Sequence, residues 1–82
     1  MDSRIARIIS VAKAMHASNG QDKDAASTGE QIAGALLAGH PEWAGYTNQR
    51  GYTDVIAMVD RLGEDWFALV REAQMYVEFS DE

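Results

Sequence analysis

Five apolar side chains, Ile5, Ile8, Ile9, Ala12 and Met15, recur three and four residues apart. That is the period of one helix face, and a strand would scatter them over both of its sides. The opening segment therefore reads as an amphipathic helix that must bury one stripe against other helices. Asp2 or Ser3 can cap its start, and Gly20, after Asn19, can close its end. Gln21–Ala26 has no periodicity and reads as a loop.

The rest of the chain continues the helical pattern. Ser27-Thr28-Gly29-Glu30 has the spacing of a capping box, with a hydroxyl followed three residues later by a carboxylate. Ile32, Leu36 and Leu37 then supply the buried face of a short helix, with Gly39 as its left-handed stop and Pro41 beyond. Residues 40–52 are irregular, punctuated by Pro41, Gly45 and Gly51. Thr53 can cap a third helix with Val55, Ile56, Val59 and Leu62 inward. Gly63 is expected to break it before a fourth helix, whose first turn carries Glu64 and Asp65 where the helix dipole favours negative charge. Trp66, Leu69, Val70, Ala73 and Val77 form that helix's inner stripe; Tyr76–Phe79 has some β character but is short. The expected fold is an all-α, compact bundle of three to four short helices spanning residues 1–82 as one helical domain.

At 82 residues the core is thin, because a chain this short buries roughly 60–65% of its unfolded surface. Small cores often gain from oligomerisation, so a homodimer is expected as much as a monomer. The sequence has no cysteine, which removes disulfides, thiolate metal sites and thiol nucleophiles together. No apolar run approaches the ~20 residues of a membrane span. Ile5–Ala14 is interrupted by Arg7, Ser10 and Lys13, unlike a signal-peptide core. A soluble, cytoplasmic protein without membrane contact is expected.

Charge is distributed unevenly. Residues 64–82 hold Glu64, Asp65, Glu72, Glu78, Asp81 and Glu82 against Arg71 alone, a balance of −5 within a net charge of −6. Residues 1–25 balance at +1 and residues 26–63 at −2. Such a field attracts basic surfaces and repels phosphate backbones, and DNA affinity rests largely on cations. A helix-turn-helix over Ser27–Gly39 and Thr53–Leu62 would have too long a connection for the usual three- or four-residue turn. Its reading helix would carry Asp54, Asp60 and Arg61 rather than a basic cluster. Arg4 and Arg7 read as the solvated flank of the first helix.

Chemistry-bearing constellations are missing. His16 and His40 are the only imidazoles; neither sits in a nucleophile–base–orienter motif, and both read as surface or capping residues. Counting an EF-hand from Asp22 places Ala26, Ser27 and Ala33 where an oxygen ligand, a glycine and a glutamate are required. Neither Thr28-Gly29 nor Asn48-Gln49-Arg50-Gly51 matches a phosphate cradle. No catalytic residue, metal site or cofactor is expected. What stands out is Trp43, Tyr46, Arg50 and Tyr52 in one segment, residue types enriched at interaction hot spots. Trp43 can equally fold back over the core with one tyrosine outward. Asp65 and Glu72, seven residues apart, share one helical face about 10 Å apart.

Thr28-Gly29-Glu30-Gln31-Ile32-Ala33, Gly51-Tyr52-Thr53 and Arg61-Leu62-Gly63-Glu64-Asp65-Trp66 resemble small uncharacterised proteins found in bacteriophage and prophage genomes, over residues 27–70. The resemblance implies a phage or mobile-element context. In size and charge alone the chain resembles anti-CRISPR proteins; the resemblance carries no functional residue. The expected function is a small acidic protein-binding module that inhibits or modulates a host nucleic-acid-handling protein with a basic surface. Its binding residues would be Trp43, Tyr46, Arg50, Tyr52, Asp65, Glu72 and Glu78. The alternatives are a small dimeric helix-turn-helix-like DNA-binding regulator and a structural or assembly subunit held by the stripe of the first or last helix.

Overall fold

In the computed structural model, which describes residues 2–77, the first helix, α1, runs Ser3–Ser18. Asp2 caps it by accepting the Arg4 N–H at 2.8 Å, and Asn19 ends it in the left-handed conformation. Helix α2, Thr28–Ala38, opens on a complete capping box. Glu30 N–H donates to Ser27 Oγ, and Ser27 N–H donates to Glu30 Oε1. Two of the four donors that a helix start leaves orphaned are thereby satisfied, the second of them on the cap residue itself. Gly39 stops α2 at φ 79°.

The irregular segment is more ordered than its sequence predicts. Pro41–Ala44 forms one turn of 3-10 helix. An isolated bridge then pairs Thr47 with Thr53. Asn48 closes the turn between them: its Oδ1 accepts the N–H groups of Arg50 and Tyr52, and its own N–H donates to the Tyr52 carbonyl. This is the side-chain chemistry that suits asparagine to turns.

Helix α3, Val55–Leu62, corrects two expectations. Its cap is Asp54, whose Oδ1 accepts the Ala57 N–H at 3.0 Å, and not Thr53, which sits opposite Thr47 in the bridge. Its buried residues are Met58 and Leu62, while Val55 and Ile56, expected inward, lie outside. The cause is the hairpin. Asp54 N–H donates to the Tyr46 carbonyl, which ties the helix start to the preceding turn and fixes its roll about its own axis. Its apolar positions, Val55, Ile56, Met58, Val59 and Leu62, cover a wider arc than the core takes up.

Gly63, at φ 86°, ends α3 and begins α4, Glu64–Ala73, so the break expected there is present. Leu69, Val70 and Ala73 are buried, with Trp66, Phe67 and Val77 packed partly against them. The core is a single apolar layer shared by the four α-helices: Ile5, Ile8 and Ile9 meet Ile32, Leu37, Met58 and Val70. A smaller cluster of Val11, Met15 and Ala35 lies beneath Trp43 and Ala44. No polar or charged side chain among the described residues is buried. The architecture is an all-α bundle.

Candidate protein-binding surface

With every described polar side chain at least partly exposed, the candidate site is a surface. The aromatic segment divides. Trp43 is half-buried and packs on both core clusters, and its ring stacks on His40 at 4.2 Å between centroids and 16° between planes. Gly20 approaches it so closely that a Cβ there would stand 2.5 Å from Trp43 Cδ1. Lys23 Nζ donates to the Trp43 carbonyl. Tyr46 is also half-buried against the core. Both therefore act as lids, whereas Tyr52 is 68% exposed and Arg50 sits exposed in the Asn48 turn beside it.

The acidic residues occupy a different element. Asp65 and Glu72 lie exposed on one flank of α4, with Leu69 and Ala73 turned to the core. No hydrogen bond or ion pair joins Asp65 or Glu72 to Tyr46, Arg50 or Tyr52 among the described residues. Asp65 is close enough to Arg4 to reinforce the charge on that guanidinium, whose pKa is raised mainly by its bonds to Asp2. Glu78 lies outside the described residues.

The arginines of α1 are engaged by the chain's own carboxylates. Arg4 Nη2 meets Asp2 Oδ2 at 3.0 Å. Arg7 donates to both the carboxylate and the carbonyl of Asp24, at 2.8 and 2.7 Å, and reaches Glu30 at 3.5 Å. It staples α1 to the loop and to the start of α2. Asp24 and Ala25 both take positive φ there, a conformation that costs non-glycine residues about 1–2 kcal/mol each. The Arg7 clamp offsets part of that cost. His40 Nδ1 contacts Glu42 Oε2 at 2.9 Å. The Glu42 carboxyl is held below its ordinary pKa, first by its own backbone N–H and then by His40.

Sequence reasoning missed one surface. Tyr52, Val55 and Ile56 form an exposed apolar edge, with Ile56 84% exposed. The signal was present as an excess of apolar positions on a helix too short to bury them all. Among the described residues no group of His, Asp or Glu is arranged to hold a metal ion, and no helix is long and apolar enough to cross a membrane. No protein-family model, curated protein or solved structure matches the chain.

Proposed function

We propose that this chain is a small acidic protein-binding module that acts by contact and not by catalysis. It docks on the basic surface of a host nucleic-acid-handling protein and inhibits or modulates it, in the phage or mobile-element context that its resemblance implies. The observation that carries this reading is the exposed flank of α4. Asp65 and Glu72 are displayed there on a rigid helix, which lets carboxylates address a groove built for phosphates. Tyr52 and Arg50, held outward by the Asn48 turn, supply residue types that anchor such contacts. The arginines of α1 are occupied by Asp2, Asp24 and Glu30, which leaves that helix a poor phosphate binder.

The test is capture from nuclease-treated host lysate by the tagged chain and by an Asp65→Lys/Glu72→Lys variant across a salt series. The expected result is a basic nucleic-acid-binding protein retained at low salt by the wild type, released as salt rises, and not retained by the variant. An identical set of captured proteins for both chains at every salt concentration overturns the reading.

A further inference from the structure

Asn19-Gly20 is the one place in the sequence where asparagine precedes glycine; Asn48, the other asparagine, precedes Gln49. Asparagine is a labile residue, and one followed by glycine can modify itself. The glycine amide nitrogen attacks the side-chain carbonyl carbon, Cγ. A C–N bond forms, the side-chain nitrogen leaves as ammonia with the proton that glycine gives up, and a succinimide ring results. Water then opens the ring. Opening at Cγ gives aspartate; opening at the backbone carbonyl gives isoaspartate, in which the chain runs through Cγ. Glycine favours the step because no side chain crowds its nitrogen and its backbone turns freely.

The fold blocks this reaction at several points. Asn19 ends α1 in the left-handed conformation, at φ 58° and ψ 40°. Ring closure needs the Gly20 nitrogen eclipsed with Asn19 Cβ, and at that ψ an L-residue holds it almost opposite Cβ across the Cα–C bond. The Gly20 N–H is also committed, donating to the Met15 carbonyl at 2.7 Å. Gly20 is buried beneath the indole of Trp43, without room for a Cβ. The turn beyond is fastened too, by Asp22 N–H donating to Ser18 Oγ at 2.7 Å. Asn19 itself is exposed to water. The electrophile is open to solvent, while the nucleophile is held away from it by a helix cap and an aromatic lid.

We propose that Asn19-Gly20 is a self-modification site gated by Trp43, closed in the folded chain and deamidating when the lid lifts and the end of α1 unwinds. The lid is held by its seat on Gly20, by the His40 stack and by the bond from Lys23 to the Trp43 carbonyl. Modification then hinders reclosure. Aspartate adds a negative charge to a chain already at −6 and places it at the C-terminal end of α1, where the helix dipole disfavours it. Isoaspartate lengthens the backbone at the cap, so the N–H groups of residues 19 and 20 no longer converge on the Met15 carbonyl. An opening that completes the reaction is thus made permanent.

Incubation of the full chain in mildly alkaline buffer, with and without denaturing urea, tests the gate. Peptide mapping at residue 19 reads the mass gained when NH2 becomes OH, and an isoaspartyl methyltransferase reads isoaspartate. The unfolded chain should modify Asn19 at least about tenfold faster than the folded chain, and faster than it modifies Asn48. In native buffer Trp43→Ala, with its helical circular dichroism retained, should react several-fold faster than wild type, and Trp43→Phe, which keeps a ring over Gly20, should stay close to wild type. A second measurement needs no variant. In wild type at rising urea below the unfolding transition, deamidation should climb in parallel with hydrogen exchange of the Gly20 amide, because both require that N–H to leave Met15. Equal rates in folded and unfolded wild type overturn the proposal, as does a folded Trp43→Ala no faster than wild type, or deamidation that stays level while Gly20 exchange rises.

Discussion

Gly34 of α2 lies directly against Val11 of α1: a Cβ on Gly34 would stand 2.6 Å from Val11 Cγ1 and 3.3 Å from the Ala12 backbone nitrogen. This missing side chain lets the two longest helices approach closely over a core built mostly from small and β-branched residues. Gly34→Ala brings two opposed effects. Helix propensity gains about 1 kcal/mol. Overpacking costs about 1–3 kcal/mol, and Val11 is fully buried with a stiff χ1, so it cannot swing aside. The steric term wins, and the expected outcome is a net loss of about 1 kcal/mol with a melting temperature several degrees lower. A variant that melts at or above the wild-type temperature contradicts the close approach.

Gly20 and Trp43 make the second contact of this kind. Gly20 has φ 86° and lies beneath the indole. Gly20→Ala therefore meets both a left-handed backbone and a side chain it must displace, for an expected loss of about 2 kcal/mol. In a Trp66→Phe background the emission of Trp43 should shift to the red as the ring is pushed into water. Unchanged emission and stability would show that Trp43 is not seated there.

Helix starts and stops were the most legible part of the chain, because each is a local hydrogen-bond problem solved by neighbouring residues. The Ser27–Glu30 box, the Gly39 stop and the Gly63 break all stand where the sequence puts them. The stripes of α1 and α4 were legible because enough turns repeat the pattern. The roll of α3 was not, because the Asp54 N–H to Tyr46 carbonyl bond sets it from outside the helix. The candidate site was legible only as residue types. That Trp43 and Tyr46 turn inward while Tyr52 turns outward depends on the Asn48 turn and the fit of Trp43 over Gly20, which involve residues distant from one another in sequence.

Acid sensitivity should track Glu30. Its carboxyl is held below the ordinary glutamate range, first by the Ser27 N–H and then by the charge of Arg7. A carboxyl depressed on folding contributes stability that is complete above its unfolded pKa, near about 4.3, and is lost as pH falls through the folded value. Stability should thus be level from neutral pH to about 5.5 and fall below about 4.3. In Glu30→Gln, which retains an acceptor for the Ser27 N–H, the acid limb should be shallower. Urea titrations at a series of pH values give both curves, and parallel acid limbs would remove Glu30 as a cause.

The cap of α3 offers the sharpest test of the corrected assignment. Asp54 Oδ1 accepts the Ala57 N–H, while Thr53 sits opposite Thr47 in a bridge whose hydrogen bonds are made by the neighbouring Tyr52 and Asp54. Removing a capping oxygen costs about 1 kcal/mol, and asparagine caps as well as aspartate. Asp54→Ala should therefore lose about 1 kcal/mol, Asp54→Asn should lose little, and Thr53→Ala should lose less than Asp54→Ala because it removes no capping oxygen and leaves the bridge's hydrogen bonds, made by Tyr52 and Asp54, in place. The same order should appear in the amide exchange of Ala57 and Met58, whose N–H groups depend on the side chain and carbonyl of Asp54. If Thr53→Ala were instead the costlier change, the helix would begin one residue earlier.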